Sequence, residues 1–120
     1  MNPTSKHTAE HYMWGDGCDG WHLLKSDNLS VIQETMPSGT SEVAHYHRHS
    51  RQFFFVLEGT LSIWLAEGET RLRAGEGAHI AQGVTHRVSN SSAAPAHFLV
   101  ISSPPSHGDR VVQTAAEEHA

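Results

Sequence analysis

Three histidines and one glutamine have residue types and a spacing that suit a metal site. His45 and His47 are two residues apart, so on an extended strand both imidazoles leave the same face. Gln52 opens the strand-like run 52–57, which can return its side chain to the same point. His86 comes from a later part of the chain. Imidazole nitrogens and an amide oxygen that converge in this way are a donor set for a divalent ion.

Two stretches around these residues resemble the two conserved motifs of the cupin superfamily. They read Gly39-x5-His45-x-His47-x4-Gln52-x6-Gly59 and Gly75-x5-Ala81-x-Gly83-x2-His86-x3-Asn90. Gln52 stands where most cupins have Glu, and Ala81 where many have Pro. The resemblance covers residues 39–90 and implies a small single-domain cupin.

The same resemblance implies that His45, His47 and His86 bind one divalent ion per chain, with Gln52 as a fourth ligand through its side-chain oxygen. A hydrogen bond from Gln52 to a metal-bound water is the alternative. All four donors are neutral, so the ion would keep its full double positive charge and attract anions. Iron, manganese, nickel and zinc all accept imidazole, so the sequence does not identify the metal.

Short strand-like runs separated by glycine turns predict an all-β protein. No amphipathic helix longer than two turns is apparent. We predict an antiparallel double-sheet jelly roll, which is the double-stranded β-helix barrel that the cupin resemblance implies. The predicted strands are Trp21 to Lys25, Leu29 to Met36, Val43 to His47, Gln52 to Glu58, Thr60 to Ala66, Thr70 to Arg73, Ala78 to Ala81, Thr85 to Asn90 and His97 to Ser102.

A chain of 120 residues is expected to form one domain. We predict a flexible N-terminal arm at 1–10, a single barrel at 11–102, and an arm or disordered tail at 103–120, because both ends are polar. Residues 1–10 contain no apolar run of signal-peptide length, and no segment approaches the roughly 18 apolar residues of a membrane helix. We therefore predict a cytoplasmic protein without a membrane partner.

Charge and composition bear on the partners. The net charge is -5, from 13 acidic and 8 basic residues with no run of Lys or Arg, which argues against nucleic acid. Hydrophobic residues make up 38% of the chain, below the usual range of roughly 45–50%. Additional burial in a homodimer is therefore expected, with Phe53, Phe55 and Leu57 on the outward face of their strand.

Side-chain alternation along the strands predicts the wall of a substrate pocket. If Gln52 points inward, Phe54 and Val56 follow it, and the same count in the strand of the last histidine sends Val88 inward. Trp64 faces away from the apolar side of its own strand and is either a cavity wall or an interface residue. We predict Phe54, Val56, Trp64 and Val88 as the pocket, with core filling as the alternative for each.

No catalytic acid or base is assigned from the sequence. Glu34 and Glu42 are the carboxylates nearest in sequence to the predicted strand Val43 to His47, which we call the ligand strand. Glu34 is either a general base or an edge-exposed carboxylate. The single cysteine, Cys18, is either a reactive thiol or metal ligand, or a small buried residue. The segment Trp14 to Trp21 matches no cupin motif.

Three classes of function agree with this reading: a metal-dependent oxygenase, a non-redox metalloenzyme such as an isomerase, lyase or polyketide-type cyclase, and a ligand-binding cupin without catalysis. Three or four protein ligands leave two or three positions open on a six-coordinate ion, which is enough for a bidentate substrate and dioxygen. We predict a dioxygenase that acts on a small, oxygen-chelating substrate, with the other two classes as alternatives.

Overall fold

The computed structural model describes residues 1–113, and these form strands and turns without a helix. The strands are β1 (Glu10–Trp14), β2 (Cys18–Lys25), β3 (Ser30–Met36), β4 (Thr40–Ser41), β5 (His45–Tyr46), β6 (Arg51–Glu58), β7 (Thr60–Leu65), β8 (Gly68–Arg73), β9 (Gly77–Ile80), β10 (Arg87–Asn90), β11 (Ala96–Ser103) and β12 (Val111–Val112).

The strands form a jelly roll of two main sheets and one short ribbon. One sheet has the order β1-β2-β3-β11-β6-β9, the other has the order β4-β10-β7-β8, and β12 pairs with β5. All these pairings are antiparallel. Side chains from both sheets, such as Phe98 on β11 and Leu61 on β7, are buried in one core. The predicted antiparallel all-β fold is confirmed.

Strand β6 alternates as its sequence predicts. Gln52, Phe54 and Val56 are 6%, 4% and 0% exposed, whereas Phe53 and Leu57 are 39% and 43% exposed. The period of two therefore turns one face of β6 toward the barrel interior and the other outward. The outward apolar face agrees with an interface, but the homodimer remains a prediction.

An N-terminal hairpin extends the sheet beyond the predicted strands. β1 pairs with the first part of β2 from Glu10 opposite His22 to Trp14 opposite Cys18, although the first predicted strand begins only at Trp21. Positive φ angles at Gly15 and Gly17 form the connecting turn, a conformation that glycine adopts without steric cost. The segment around this turn is rich in Gly and Asp, which are rare in strands, so its composition does not predict the strand residues that pair here through their backbones.

The chain after β11 returns to β5, which carries His45 and is followed directly by His47. We call residues 104–113 the C-terminal strap. A turn at Ser106 to Asp109 leads into β12, whose Val111 and Val112 pair with Tyr46 and His45. The sequence predicts an arm or disordered tail at 103–120. Its first part lies against the ligand strand as far as Gln113, and the rest lies outside the described residues.

Within residues 1–113 no helix has the length and apolar character that a membrane crossing requires. The flexible N-terminal arm at 1–10 remains a prediction.

Candidate metal centre

The three histidines of the two motifs meet in the interior of the barrel. His45, His47 and His86 each offer a ring nitrogen, and these nitrogens all lie within 4.8 Å of one another. His45 and His86 form a backbone bridge, with N···O distances of 3.0 and 2.9 Å, so their side chains stand opposite each other. All three side chains are buried. The structure thus brings together the three predicted histidine ligands.

Backbone carbonyls select the same tautomer for all three imidazoles. His45 Nδ1 donates to the Val43 carbonyl at 2.8 Å, and His86 Nδ1 donates to the Val84 carbonyl at 3.0 Å. His47 Nδ1 donates to the carbonyl of Asp109 at 2.7 Å. With the proton on Nδ1, each Nε2 carries a free lone pair, which is how a protein orients and prepares histidine for a metal.

Buried polar atoms without a partner mark the centre of the site. Nε2 of His47, Nε2 of His86 and Oε1 of Gln52 are buried and have no hydrogen-bond partner among residues 1–113. Gln52 Nε2 donates to Ser102 Oγ at 3.1 Å, which identifies the remaining oxygen as an acceptor. Unpaired buried acceptors are costly, and a cation between them would satisfy all three. The donor set therefore fits a divalent ion.

The environment keeps two of the ligand histidines, His45 and His86, neutral. The pKa of His45 is lowered to about 3, mainly by burial and to a smaller extent by the neighbouring His86 and Arg110. Burial also lowers the pKa of His86. A histidine binds a metal only in its deprotonated form, so no proton has to be removed from these two imidazoles near neutral pH.

Two of the histidines, His45 and His47, line a cavity of about 310 Å³, which we call the site cavity. Of the four predicted pocket residues, Phe54 lines it. Val56 and Val88 are 0% and 2% exposed in the hydrophobic core and do not line the cavity. Trp64 lies on the outer face of its sheet, where its Nε1 donates to Ser89 Oγ and the Arg87 guanidinium lies over its ring.

A tyrosine and a glutamate stand together in this cavity. Tyr12 and Glu34 both line it, and the Tyr12 hydroxyl donates to Glu34 Oε2 at 2.9 Å. Gly20 makes this approach possible, because a Cβ there would overlap the Tyr12 ring. Burial raises the pKa of Glu34 to about 7, although the Tyr12 hydrogen bond acts in the opposite direction. The edge-exposed alternative for Glu34 is therefore wrong.

A second carboxylate lies beside the ligands. Glu42 lines the site cavity, accepts the backbone N–H of Val88 at 3.0 Å, and has Oε1 3.9 Å from His45 Nδ1. Burial raises the pKa of Glu42 to about 8. Cys18, in contrast, is 1% exposed in the core, and burial raises the pKa of its thiol, which agrees with the buried-residue reading.

Asp109 fastens the C-terminal strap to residues 48–50, which follow the ligand strand. Its carboxylate accepts the backbone N–H groups of Arg48, His49 and Ser50 at 2.9, 2.9 and 2.8 Å. Its carbonyl orients His47, as described above. His49 is exposed and contributes only its backbone to this contact.

Asp109→Ala should lower the free energy of unfolding by roughly 2 kcal/mol, because three backbone donors lose a charged acceptor. It should also weaken metal binding, since the carbonyl that orients His47 is then less firmly held. Urea unfolding and metal titration measure the two effects. Asp27→Ala, in an exposed turn, is the control and should change neither, whereas equal effects of both substitutions would remove the role of Asp109.

Gln52→Glu should tighten metal binding and weaken the binding of anionic chelators, because a carboxylate cancels part of the charge of the ion. Competition with a chromophoric chelator measures the first effect, and calorimetric titration of oxalate measures the second. Gln52→Leu has a side chain of similar size but lacks the oxygen that would bind the ion, so it should weaken metal binding. Equal metal affinity in all three proteins would exclude Gln52 as a ligand.

Glu34→Gln should stabilise the metal-free protein in a pH-dependent way. Below pH 4.5 the carboxyl is protonated in both the folded and the unfolded chain, so its raised pKa has no effect on stability. Between pH 4.5 and pH 7, Glu34 is ionised in the unfolded chain but still protonated in the folded protein. Each rise in pH in this range therefore favours the unfolded chain and lowers the free energy of unfolding. The variant should gain on the order of 2 kcal/mol at pH 8 and nothing at pH 4.

Urea unfolding at the two pH values measures this difference. Glu58→Gln replaces a carboxylate whose side chain is 79% exposed, and it should show no comparable change between pH 4 and pH 8. A Glu34→Gln gain of the same size at both pH values would contradict the raised pKa.

Comparison with known proteins agrees with this geometry. The family model described as "Cupin domain" matches residues 32–102. The tetracenomycin polyketide synthase protein TcmJ of Streptomyces glaucescens is 32% identical over 66 residues, which are 55% of this chain and 44% of TcmJ. Quercetin 2,3-dioxygenase of Bacillus subtilis is 30% identical over 56 residues, which are 47% of this chain and 17% of that enzyme. The chain thus spans less than half the length of these two relatives.

Solved structures show the same fold. The polyketide cyclase RemF from Streptomyces resistomycificus superposes with a TM-score of 0.76, covering 88% of this chain and 80% of that chain at 16% identity. At this identity the likeness concerns the fold alone. Because the family model covers more than half of the residues and includes all three histidines, the chain belongs to the cupin family.

Proposed function

We propose that this cupin is a mononuclear metal-dependent enzyme that moves a proton on a small, enolisable substrate with chelating oxygens. One observation carries the proposal: Glu34 and Tyr12, which are joined by a hydrogen bond, line the same cavity as His45 and His47, two of the three clustered histidines. The sequence favours a dioxygenase because it shows no proton-transfer group with certainty. Glu34 supplies that group.

His45, His47 and His86 would hold the ion, with Gln52 as the fourth donor. A divalent ion bound there would act as a Lewis acid that stabilises negative charge developing on a substrate oxygen. Glu34 takes the proton from the carbon beside the substrate carbonyl, and the C–H electron pair becomes the enolate double bond. Its return of the proton to another carbon completes an isomerisation. Attack by the enolate carbon on a second carbonyl gives a cyclisation, with the proton passing to the new alkoxide.

The remaining residues of the cavity suit this role. Tyr12 donates a hydrogen bond that fixes the position of the Glu34 carboxylate. Ile32, Phe54 and Val100 give the cavity an apolar wall, which keeps water away from the basic oxygen. A pKa of about 7 allows Glu34 to act both as base and as acid near neutral pH. The similarity to the polyketide synthase protein TcmJ supports chemistry on enolisable, oxygen-rich substrates.

A dioxygenase is the second candidate. It is supported by the neutral donor set, which leaves the ion its full charge and two or three open positions, and by the similarity to quercetin 2,3-dioxygenase. The dioxygenase requires a redox-active ion, whereas proton transfer does not.

Two assays distinguish these functions. In the first, the zinc-loaded protein is mixed with enolisable hydroxy-ketones and diketones in D2O, and NMR follows the exchange of carbon-bound hydrogen. In the second, an oxygen electrode follows the iron-loaded protein with the same compounds, catechols and hydroxy-acids. Catalysed exchange supports the proposal. Oxygen uptake without exchange assigns a dioxygenase, and binding without either reaction assigns a ligand-binding cupin.

A further inference from the structure

One permanently charged side chain lines the site cavity. Arg110 is the only Lys or Arg among the described residues that line it. Its guanidinium forms no ion pair or side-chain hydrogen bond within residues 1–113. The proposed proton transfer does not use this cation.

The backbone on both sides of Arg110 is fixed to residues 44–50, the segment that contains His45 and His47. On one side the Asp109 carboxylate accepts three backbone N–H groups from residues 48–50. On the other side Val111 pairs with Tyr46, and Gln113 N donates to the carbonyl of Ala44 at 3.0 Å. The backbone of Arg110 is therefore held in place by its two neighbours. Its side chain is exposed and lines the cavity, so it lies at the cavity rim.

The charge of Arg110 acts on the interior of the site. Its side chain lines the same cavity as His45 and His47, so its positive charge acts on the space that a ligand would occupy. A ligand in the cavity would therefore experience the charge of Arg110 as well as that of a bound ion.

We propose that Arg110 binds a second anionic group of the substrate, a carboxylate or a phosphate, while the chelating oxygens of the same molecule bind at the three histidines. This inference rests on the proposed function and adds a substrate class to it: small acids in which an anionic group is separated from an enolisable, chelating part. The planar guanidinium offers paired N–H donors that match either oxyanion. A cavity of about 310 Å³ restricts such a substrate to a small molecule.

Three hydroxamates test the proposal by calorimetric titration of the zinc-loaded protein. Propionohydroxamate chelates through two oxygens and has a neutral tail. Succinic acid monohydroxamate and 3-phosphonopropionohydroxamate add a terminal carboxylate and a terminal phosphonate. The wild-type protein should bind at least one charged chelator about tenfold more tightly than the neutral one. A gain in affinity with the carboxylate tail indicates a carboxylate substrate, and a gain with the phosphonate tail indicates a phosphate substrate.

Arg110→Gln should abolish this gain and leave the affinity for propionohydroxamate unchanged. Arg110→Lys should restore part of it, because the charge remains while the paired donors are lost. Arg87→Gln is the matched control: it removes the same charge on the outer face, where Arg87 lies over Trp64, and it should keep the gain. All variants are loaded to the same zinc content, so that altered metal affinity does not imitate lost anion binding.

The outcomes separate this proposal from the proposed function. If propionohydroxamate binds but neither charged tail adds affinity, or if Arg87→Gln reduces the gain as much as Arg110→Gln, the role of Arg110 is overturned and the metal centre stands. If none of the chelators binds, both proposals fail. If the Arg110-dependent gain is present but no substrate undergoes proton exchange, the anion site stands and the catalytic proposal fails.

Discussion

His86→Ala is expected to reduce the metal content of the purified protein from one ion per chain to nearly none. His86 supplies one of three imidazoles whose free nitrogens lie within 4.8 Å of one another. Four-ligand zinc sites bind with apparent free energies of about 10–16 kcal/mol, so an average ligand accounts for roughly 3 kcal/mol. Its loss should weaken metal binding more than a hundredfold. Dialysis against a weak chelator should then remove the ion from the variant.

Elemental analysis after dialysis measures this change, and circular dichroism shows whether the strand content persists. The matched control is His79→Ala, which removes an exposed histidine on β9 and should leave the metal content at the wild-type level. A folded His86→Ala protein that retains one tightly bound ion would show that the ion binds elsewhere.

The histidine site could be predicted because its information is local. His45 and His47 share a strand face through the period of two, and the position of His86 follows from the second motif that resembles a cupin. The structure adds that His45 and His86 form a backbone bridge, which explains why residues far apart in the chain meet. Hydrophobic alternation likewise predicts the inward face of β6, where Gln52 and Phe54 are buried.

The proton-transfer pair could not be predicted in the same way. Tyr12 reaches Glu34 only because β1 folds onto β2 and Gly20 leaves room for the tyrosine ring. No local pattern in the sequence specifies that approach. One signal was present: the segment Trp14 to Trp21 combines two aromatic residues with three glycines, a composition typical of a tight hairpin that brings backbones close together.

The C-terminal strap was missed for a different reason. The sequence places Pro104-Pro105 before a polar end, a composition shared by tails and by ordered connections. What orders the strap is the Asp109 carboxylate on three backbone N–H groups. Backbone donors are the same for every residue type except proline, so the sequence does not reveal which of them a distant carboxylate will accept. Arg110 was missed together with the strap.

The alternation of side chains along the strands predicts more residues for the substrate pocket than actually line the site cavity. Val56 and Val88 do point inward, but inward positions of a jelly roll are divided between the packed core and the ligand cavity. Phe54 is close enough to the histidines to line the cavity, with its ring centroid 6.1 Å from that of His86. Strand periodicity gives the direction of a side chain, and the depth of the cavity decides which inward side chains reach it.

Glu34→Gln should slow the zinc-dependent proton exchange by a factor of about 10² to 10⁴, the usual contribution of a positioned general base. The amide has nearly the same shape and still accepts the Tyr12 hydrogen bond, but it does not take a proton from carbon. Metal content and affinity for propionohydroxamate should stay at wild-type levels, because Glu34 is not among the proposed ligands. Exchange rates from NMR at equal zinc content measure the effect.

Tyr12→Phe and Glu58→Gln complete this series. Tyr12 positions the Glu34 carboxylate through one hydrogen bond, so its loss should slow exchange much less than Glu34→Gln and should move the pH profile upward, since that bond lowers the pKa of Glu34. Glu58 is exposed on β6, and Glu58→Gln should leave rate and profile unchanged. If Glu34→Gln exchanges hydrogen at the wild-type rate, the base lies elsewhere, and Glu42, the other carboxylate lining the cavity, becomes the residue to replace.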